Sequence, residues 1–179
     1  MRKKYESEYE LVSFCDGKKK YRYRGAQYRL NLKDSDYSRF WIFQLTASVL
    51  SLLLLLLAGQ LPSRSMYHFY AFLPYILTYI PALFFLIHSA FCPRKNHSME
   101  HMEYDQQYGR QKLSVFLALI GSILAAVTGF LAVSLDPQAK FSSCLQPLLL
   151  CLLALLLALF LRILLHLPVS VTEGTSTQK

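Results

Sequence analysis

Four long blocks of this chain are almost wholly apolar, at about residues 40–60, 69–91, 113–134 and 145–167, and charged residues are held to the segments around them. A helix rises about 1.5 Å per residue, so a hydrocarbon layer of roughly 30 Å takes about 20 apolar residues to cross. Each block meets that length. None contains Asp or Glu, and Arg162, near the end of the fourth, is their sole Arg or Lys. Barrel strands would alternate apolar and polar residues over about 10 positions, which these blocks do not do. The pattern predicts an all-α membrane protein: a bundle of four transmembrane helices over 40–167, a small basic cytoplasmic segment over 1–39, and a cytoplasmic tail over 168–179.

The first segment has a different period. Tyr9, Leu11 and Ser13 alternate with Glu10, Val12 and Phe14, and Asp16-Gly17 is a strong two-residue hairpin signal. Tyr21, Tyr23 and Tyr28 are interleaved with Arg22, Arg24 and Arg29. A small hairpin or a three-stranded meander reading YELVSF, KKYRYR, QYRLNL is expected.

Composition agrees with the pattern. Of 179 residues, 54% are hydrophobic and 17% charged, with a mean hydropathy of +0.29. This excludes intrinsic disorder, a collagen-like fibre and a soluble core. Charge then sets the orientation: of the 19 Lys and Arg, 17 fall in the first segment, the loop between the second and third spans, or the C-terminal end, and only Arg64 and Lys140 lie on the opposite side. By the positive-inside rule both termini and the central loop are cytoplasmic, in a cell membrane. Trp41, Phe40 and Phe43 open the first span, and Tyr67, Phe69 and Tyr70 the second, where aromatic rings favour the headgroup region. The outer connections, about 61–68 and 135–144, are too short for a receptor head. The first apolar run begins behind a charged segment, so no cleavable signal is expected.

Candidate chemistry is sparse. Lys18, Lys19, Lys20, Arg22, Arg24 and Arg29 form a tyrosine-interleaved basic surface suited to the anionic cytoplasmic leaflet or to a membrane or cytoplasmic protein partner. The simpler reading is that these charges fix topology and sit solvated. Nucleic acid is not expected, since the segment is tethered to a membrane and carries no recognised nucleic-acid motif.

In the central loop, His97-Ser98-Met99-Glu100-His101 resembles the H-x-x-E-H spacing of the inverzincin metallopeptidases over those five residues alone. The loop has no room for their large soluble domain, so a chance match is the reading. On a helix over 98–110, His97, His101 and Asp105 would fall at i, i+4 and i+8, a low-ranking metal candidate against an ordinary amphipathic lead-in. No metal and no cofactor is expected. Asn96-His97-Ser98 is a glycosylation pattern that stays unmodified on a cytoplasmic face.

Within the spans, Gly121, Ala125 and Gly129 form a smooth stripe for close helix packing, and Ala154 and Ala158 with Cys151 form a matching narrow face, the Leu-rich remainder of that span facing lipid. Pro74, Tyr75, Thr78, Tyr79 and Pro81 make the second span unusual: either a kinked helix whose hydroxyls satisfy its neighbours, or a solute path. Intramembrane carboxylates are absent, which sets the chain apart from small multidrug-resistance exporters. No C-x-x-C, G-x-S-x-G, phosphate loop or Rossmann fingerprint occurs, and Cys92, at an interface, is a candidate for acylation. The expected role is non-enzymatic: an accessory, scaffold or regulatory subunit working through helix packing and its basic segment. The alternative is an oligomeric small-solute permease or channel lined by the second span.

Overall fold

The computed structural model describes residues 5, 8–13, 19–61, 68–94, 97–136 and 141–172. In chain order it contains β1 (Tyr9–Ser13), β2 (Lys19–Tyr23), β3 (Gln27–Leu30), α1 (Asp34–Gln60), α2 (Phe69–Phe91), β4 (Met99–Glu100), α3 (His101–Tyr104), a π-helical turn (Asp105–Gly109), α4 (Arg110–Leu135), a 3-10 turn (Phe141–Cys144), α5 (Leu145–Leu165) and β5 (Val169–Thr172). Among the described residues four helices are long and apolar enough to cross a membrane, the third running from His101 to Leu135 through α3, the π turn and α4.

Helix α1 begins six residues before the apolar block. Asp34 and Asp36 occupy its first turn, where carboxylates suit the positive end of the helix dipole, so residues 34–39 of the basic segment are helical. The lead-in to α4 is not the uniform helix expected over 98–110. It divides into β4, α3 and the π turn, so His97 lies before a strand and shares no helix with His101, and Tyr108 turns into the interior.

The helices form a ring in which α2 packs on α1 and α4, and α5 on α4 and α1. The buried face of α4 is made of small side chains, Ser114, Ala118, Ser122, Ala125, Ala126, Gly129 and Ala132 among them. Without water to drive apolar surfaces together, membrane helices gain by close approach, and such a face permits it. At Gly121 a Cβ would stand 2.5 Å from Thr78 Oγ1 and 3.4 Å from Thr78 Cα, so only glycine lets α2 and α4 meet there.

Opposite this smooth face α5 buries bulk: Leu150, Leu153, Leu157, Phe160 and Leu164. The sequence-based assignment of faces on α5 holds only in part. Ala158 is exposed and Ala154 only partly buried, both lining an open apolar groove with α4; Leu150, Leu153, Leu157 and Leu164 fill the interior, while Leu148, Leu152, Leu155 and Leu159 are exposed as expected. A face of alanines on α4 leaves volume that only large partners can fill.

The amino-terminal segment corrects the meander. Strands β1 and β2 form the expected hairpin, in register from Tyr9↔Tyr23 to Ser13↔Lys19, while Asp16-Gly17 lies outside the described residues. Strand β3 leaves this hairpin and becomes the centre of a second antiparallel sheet, ordered β4-β3-β5. Its partners come from far along the chain: Tyr28 pairs with Met99 on one side and Val171 on the other. The amide of Asn31 continues this second pairing to the Pro168 carbonyl at 2.9 Å. Both edges of β3 are thereby covered, one by the central loop and one by the tail. The amino-terminal segment, central loop and C-terminal strand thus share one end of the bundle.

Candidate functional site

Beneath the sheet lies a second, smaller core of Leu30, Tyr37, Cys92, Met99 and Tyr108. Its logic starts at the end of α2. The last carbonyls of a helix have no partner within it, and here α1 supplies partners just beyond the helix end: Trp41 Nε1 donates to the Cys92 carbonyl at 3.1 Å, and the Tyr37 hydroxyl to the Pro93 carbonyl at 2.8 Å. Arg94 lies over the Trp41 ring, 5.2 Å from its centroid. The Tyr37 and Tyr108 hydroxyls are 3.4 Å apart, and Cys92 Sγ lies between them at 3.8 and 3.6 Å. Enclosed in this way, Cys92 is buried and not placed for the acylation considered from sequence.

From Tyr108 a column of rings runs outward. Tyr108 adjoins Tyr104, Tyr104 stacks on Tyr28 at 5.0 Å, and Tyr28 stacks on His101 at 5.2 Å, which meets the edge of Tyr5. Around this column the amino-terminal segment fastens to the central loop. Tyr5 donates to Asp105 Oδ2 and Tyr9 to Glu100 Oε2. The ring nitrogen Nδ1 of His101 lies 2.7 Å from Glu8 Oε1, and its backbone amide donates to the Tyr23 hydroxyl at 3.0 Å. Tyr23 in turn donates to the Ala26 carbonyl at 2.7 Å.

These contacts alter the acidities of the tyrosines. The bond to the Glu100 carboxylate, helped by burial and by the charge of Glu100, pushes the Tyr9 phenol up to about 12, because ionisation would lose a donor and set two anions together. Tyr23 is raised as well, first by burial.

The residues singled out from sequence fall as follows. Arg24 and Arg29 are exposed at the sheet end of the bundle, Arg24 pairing with Glu10 at 3.1 Å. Lys18 lies outside the described residues, as do the side chains of Lys19, Lys20 and Arg22. The three metal candidates are drawn to separate partners: His97 to Glu103 at 3.5 Å, His101 to Glu8, and Asp105 to Tyr5. Among the described residues no group of three or more His, Cys, Asp or Glu side chains is gathered as a metal site. Asn96 is outside the described residues.

On α2, Tyr75 and Tyr79 both donate to the Leu55 carbonyl of α1, at 2.7 and 3.1 Å, and Thr78 to the Pro74 carbonyl at 2.7 Å. A Cβ on Gly59 would collide with the Tyr75 hydroxyl, so this glycine lets the tyrosine reach α1. Pro81 lines a cleft between α2 and α4. Gln44 of α1 is fully buried, and neither of its amide atoms has a hydrogen-bond partner among the described residues.

Sequence reasoning missed Tyr5, Glu8, Tyr37, Tyr104 and Tyr108. The one available signal was the density of tyrosine on either side of the spans, since such rings need both a packing surface and a polar partner. No protein-family model, no curated protein and no solved structure matches the chain.

Proposed function

We propose that this protein is a non-catalytic accessory or scaffold subunit of a cell membrane, with both termini and the central loop in the cytoplasm, which engages a protein partner through the basic platform at the sheet end of its bundle. One observation carries the reading: the central loop and the tail, both distant in sequence, converge on β3 of the amino-terminal segment to form a single folded surface that displays Arg24 and Arg29. Building a surface from the amino-terminal segment, the loop and the tail costs far more chain ordering than topology alone requires. The lopsided distribution of Lys and Arg supports the cytoplasmic placement of that surface. A solute path along α2 would need the Tyr75 and Tyr79 hydroxyls freed from Leu55.

The test is affinity capture of the tagged full chain from native membranes after chemical crosslinking. A partner polypeptide should be recovered, and recovery should collapse when Arg24→Glu is combined with Arg29→Glu while the protein stays folded in detergent. Recovery of the chain alone, or of the same partner with both charges reversed, would overturn the proposal. Labelling of Arg24→Cys by an impermeant maleimide added to intact cells, beyond that of the native cysteines in the unsubstituted chain, would reverse the orientation.

A further inference from the structure

A cleft of about 520 Å³ opens between α2 and α4 on the outer surface of the bundle, lined among others by Pro81, Phe84, His88, Arg110, Leu113 and Leu117. Its polarity is graded. Helices α2 and α4 run antiparallel, so His88 and Arg110 lie together at the end nearer the sheet, while Pro81 and Leu117 lie deeper. Seven residues of helix separate the two ends on each wall, about 10 Å along the axis. The deep walls are apolar and open to the surroundings: Ile80, Phe84, Leu113 and Leu117 are each about half exposed.

Arg110 is exposed and has no ion pair among the described residues. His88 turns Nδ1 to the Phe84 carbonyl at 2.6 Å, which leaves Nε2 as its available edge. A cation at the shallow end of an apolar furrow that follows the bundle axis matches one ligand chemistry, a phosphate head above an acyl chain. We infer that this cleft holds an anionic phospholipid, its phosphate on Arg110 and beside His88, and one acyl chain along Phe84, Leu113 and Leu117 past Pro81. The site does not depend on which side of the membrane is cytoplasmic, because it takes lipid from whichever leaflet adjoins the sheet. It is also separate from the arginines of the platform.

Native mass spectrometry of the full chain in detergent, titrated with phosphatidylglycerol or phosphatidylcholine of the same acyl chains, tests it. One phosphatidylglycerol should bind at lower concentration than phosphatidylcholine. Arg110→Gln should raise the concentration for half-occupancy about tenfold, the loss of one charge-assisted contact. Leu117→Trp, which fills the deep end from an exposed position, should weaken binding with the arginine intact. Arg24→Gln with Arg29→Gln should leave it unchanged, so that failure here and failure of the platform reading are told apart. Glycerol 1-phosphate, the head without its chains, should not displace the lipid. Equal binding of the two lipids, indifference to both Arg110→Gln and Leu117→Trp, or displacement by glycerol 1-phosphate would overturn the assignment.

Discussion

The two ends of the molecule's working parts are held together by opposite means. In the bundle, cohesion comes from what is missing: Gly121 and the alanines of α4 carry so little side chain that backbones approach closely, and hydroxyls such as Tyr75 settle on backbone carbonyls. In the platform it comes from what is present, large rings stacked in a column, with the Tyr5 hydroxyl reaching Asp105 and that of Tyr9, beside the column, reaching Glu100. The difference follows from the solvent. Lipid offers no reward for burying apolar surface but penalises any unpaired polar group, whereas water rewards ring burial and leaves carboxylates ionised to accept bonds. Large-to-small changes should therefore harm the platform, small-to-large changes the bundle, and pH the platform alone.

The largest effect is expected where the two regimes meet. Tyr108 is buried by the π turn against Tyr37 and Cys92, and Tyr108→Ala removes a whole ring from the small core while leaving the Tyr37 hydroxyl one neighbour short. The loss should be about 3–5 kcal/mol of the stability of the sheet end. Chemical denaturation in detergent should show the sheet end unfolding before the bundle. A single unchanged transition would mean that the two regions do not differ as argued.

Next comes Gly121→Leu. Its side chain would drive into Thr78, where α2 and α4 lie close together, costing about 1–3 kcal/mol by overpacking. Thermal unfolding in detergent should register this, while hydrogen exchange at the β3 amides stays as before. Protection lost equally in both regions would show the bundle and the platform to be one cooperative unit.

The alkaline limb sharpens the contrast further. The Tyr9 hydroxyl donates to Glu100 only while neutral, and its pKa is raised from 10.0 to about 12, chiefly by that bond. A raised value in the folded state means that the contact contributes in full below about pH 10 and is lost as pH rises through about 12. The ultraviolet tyrosinate titration of the protein, less that of Tyr9→Phe, should show one step near the upper value. In a Glu100→Gln background the same difference should move toward the ordinary phenol range. A step at the ordinary value in both backgrounds would detach Tyr9 from Glu100.

What the residues disclosed beforehand follows the same division. The spans were legible because lipid imposes length and apolarity on contiguous stretches, so α2 runs from Phe69 to Phe91 as expected. Which face of each span turns inward was less so. On α4 the small stripe marked the interior, but on α5 the alanines lie outside and Leu153 and Leu157 inside, since that choice depends on the volume left by the neighbour. The platform was hardest to read. Alternation revealed the β1 and β2 hairpin, yet nothing local to Tyr28 announces partners near residues 99 and 171. Pairing at such sequence separation is decided by the bundle that brings the three segments together.

The smallest energetic effect tests the largest functional claim. Arg24 pairs with Glu10 at 3.1 Å, but both side chains are more than half exposed, so water screens the attraction and ordering two long side chains offsets much of the remainder. Arg24→Gln should change unfolding stability by no more than about 0.5 kcal/mol, the scale of an exposed pair. If the charge exists to hold the hairpin, stability and partner capture should fall together. If it exists to be presented, capture from native membranes should weaken while the denaturation midpoint stays fixed, and the platform's tyrosines, not its arginines, are what hold it in shape. A midpoint that drops as far as it does for Tyr108→Ala would return Arg24 to a structural role and remove the basic surface from the argument for a partner.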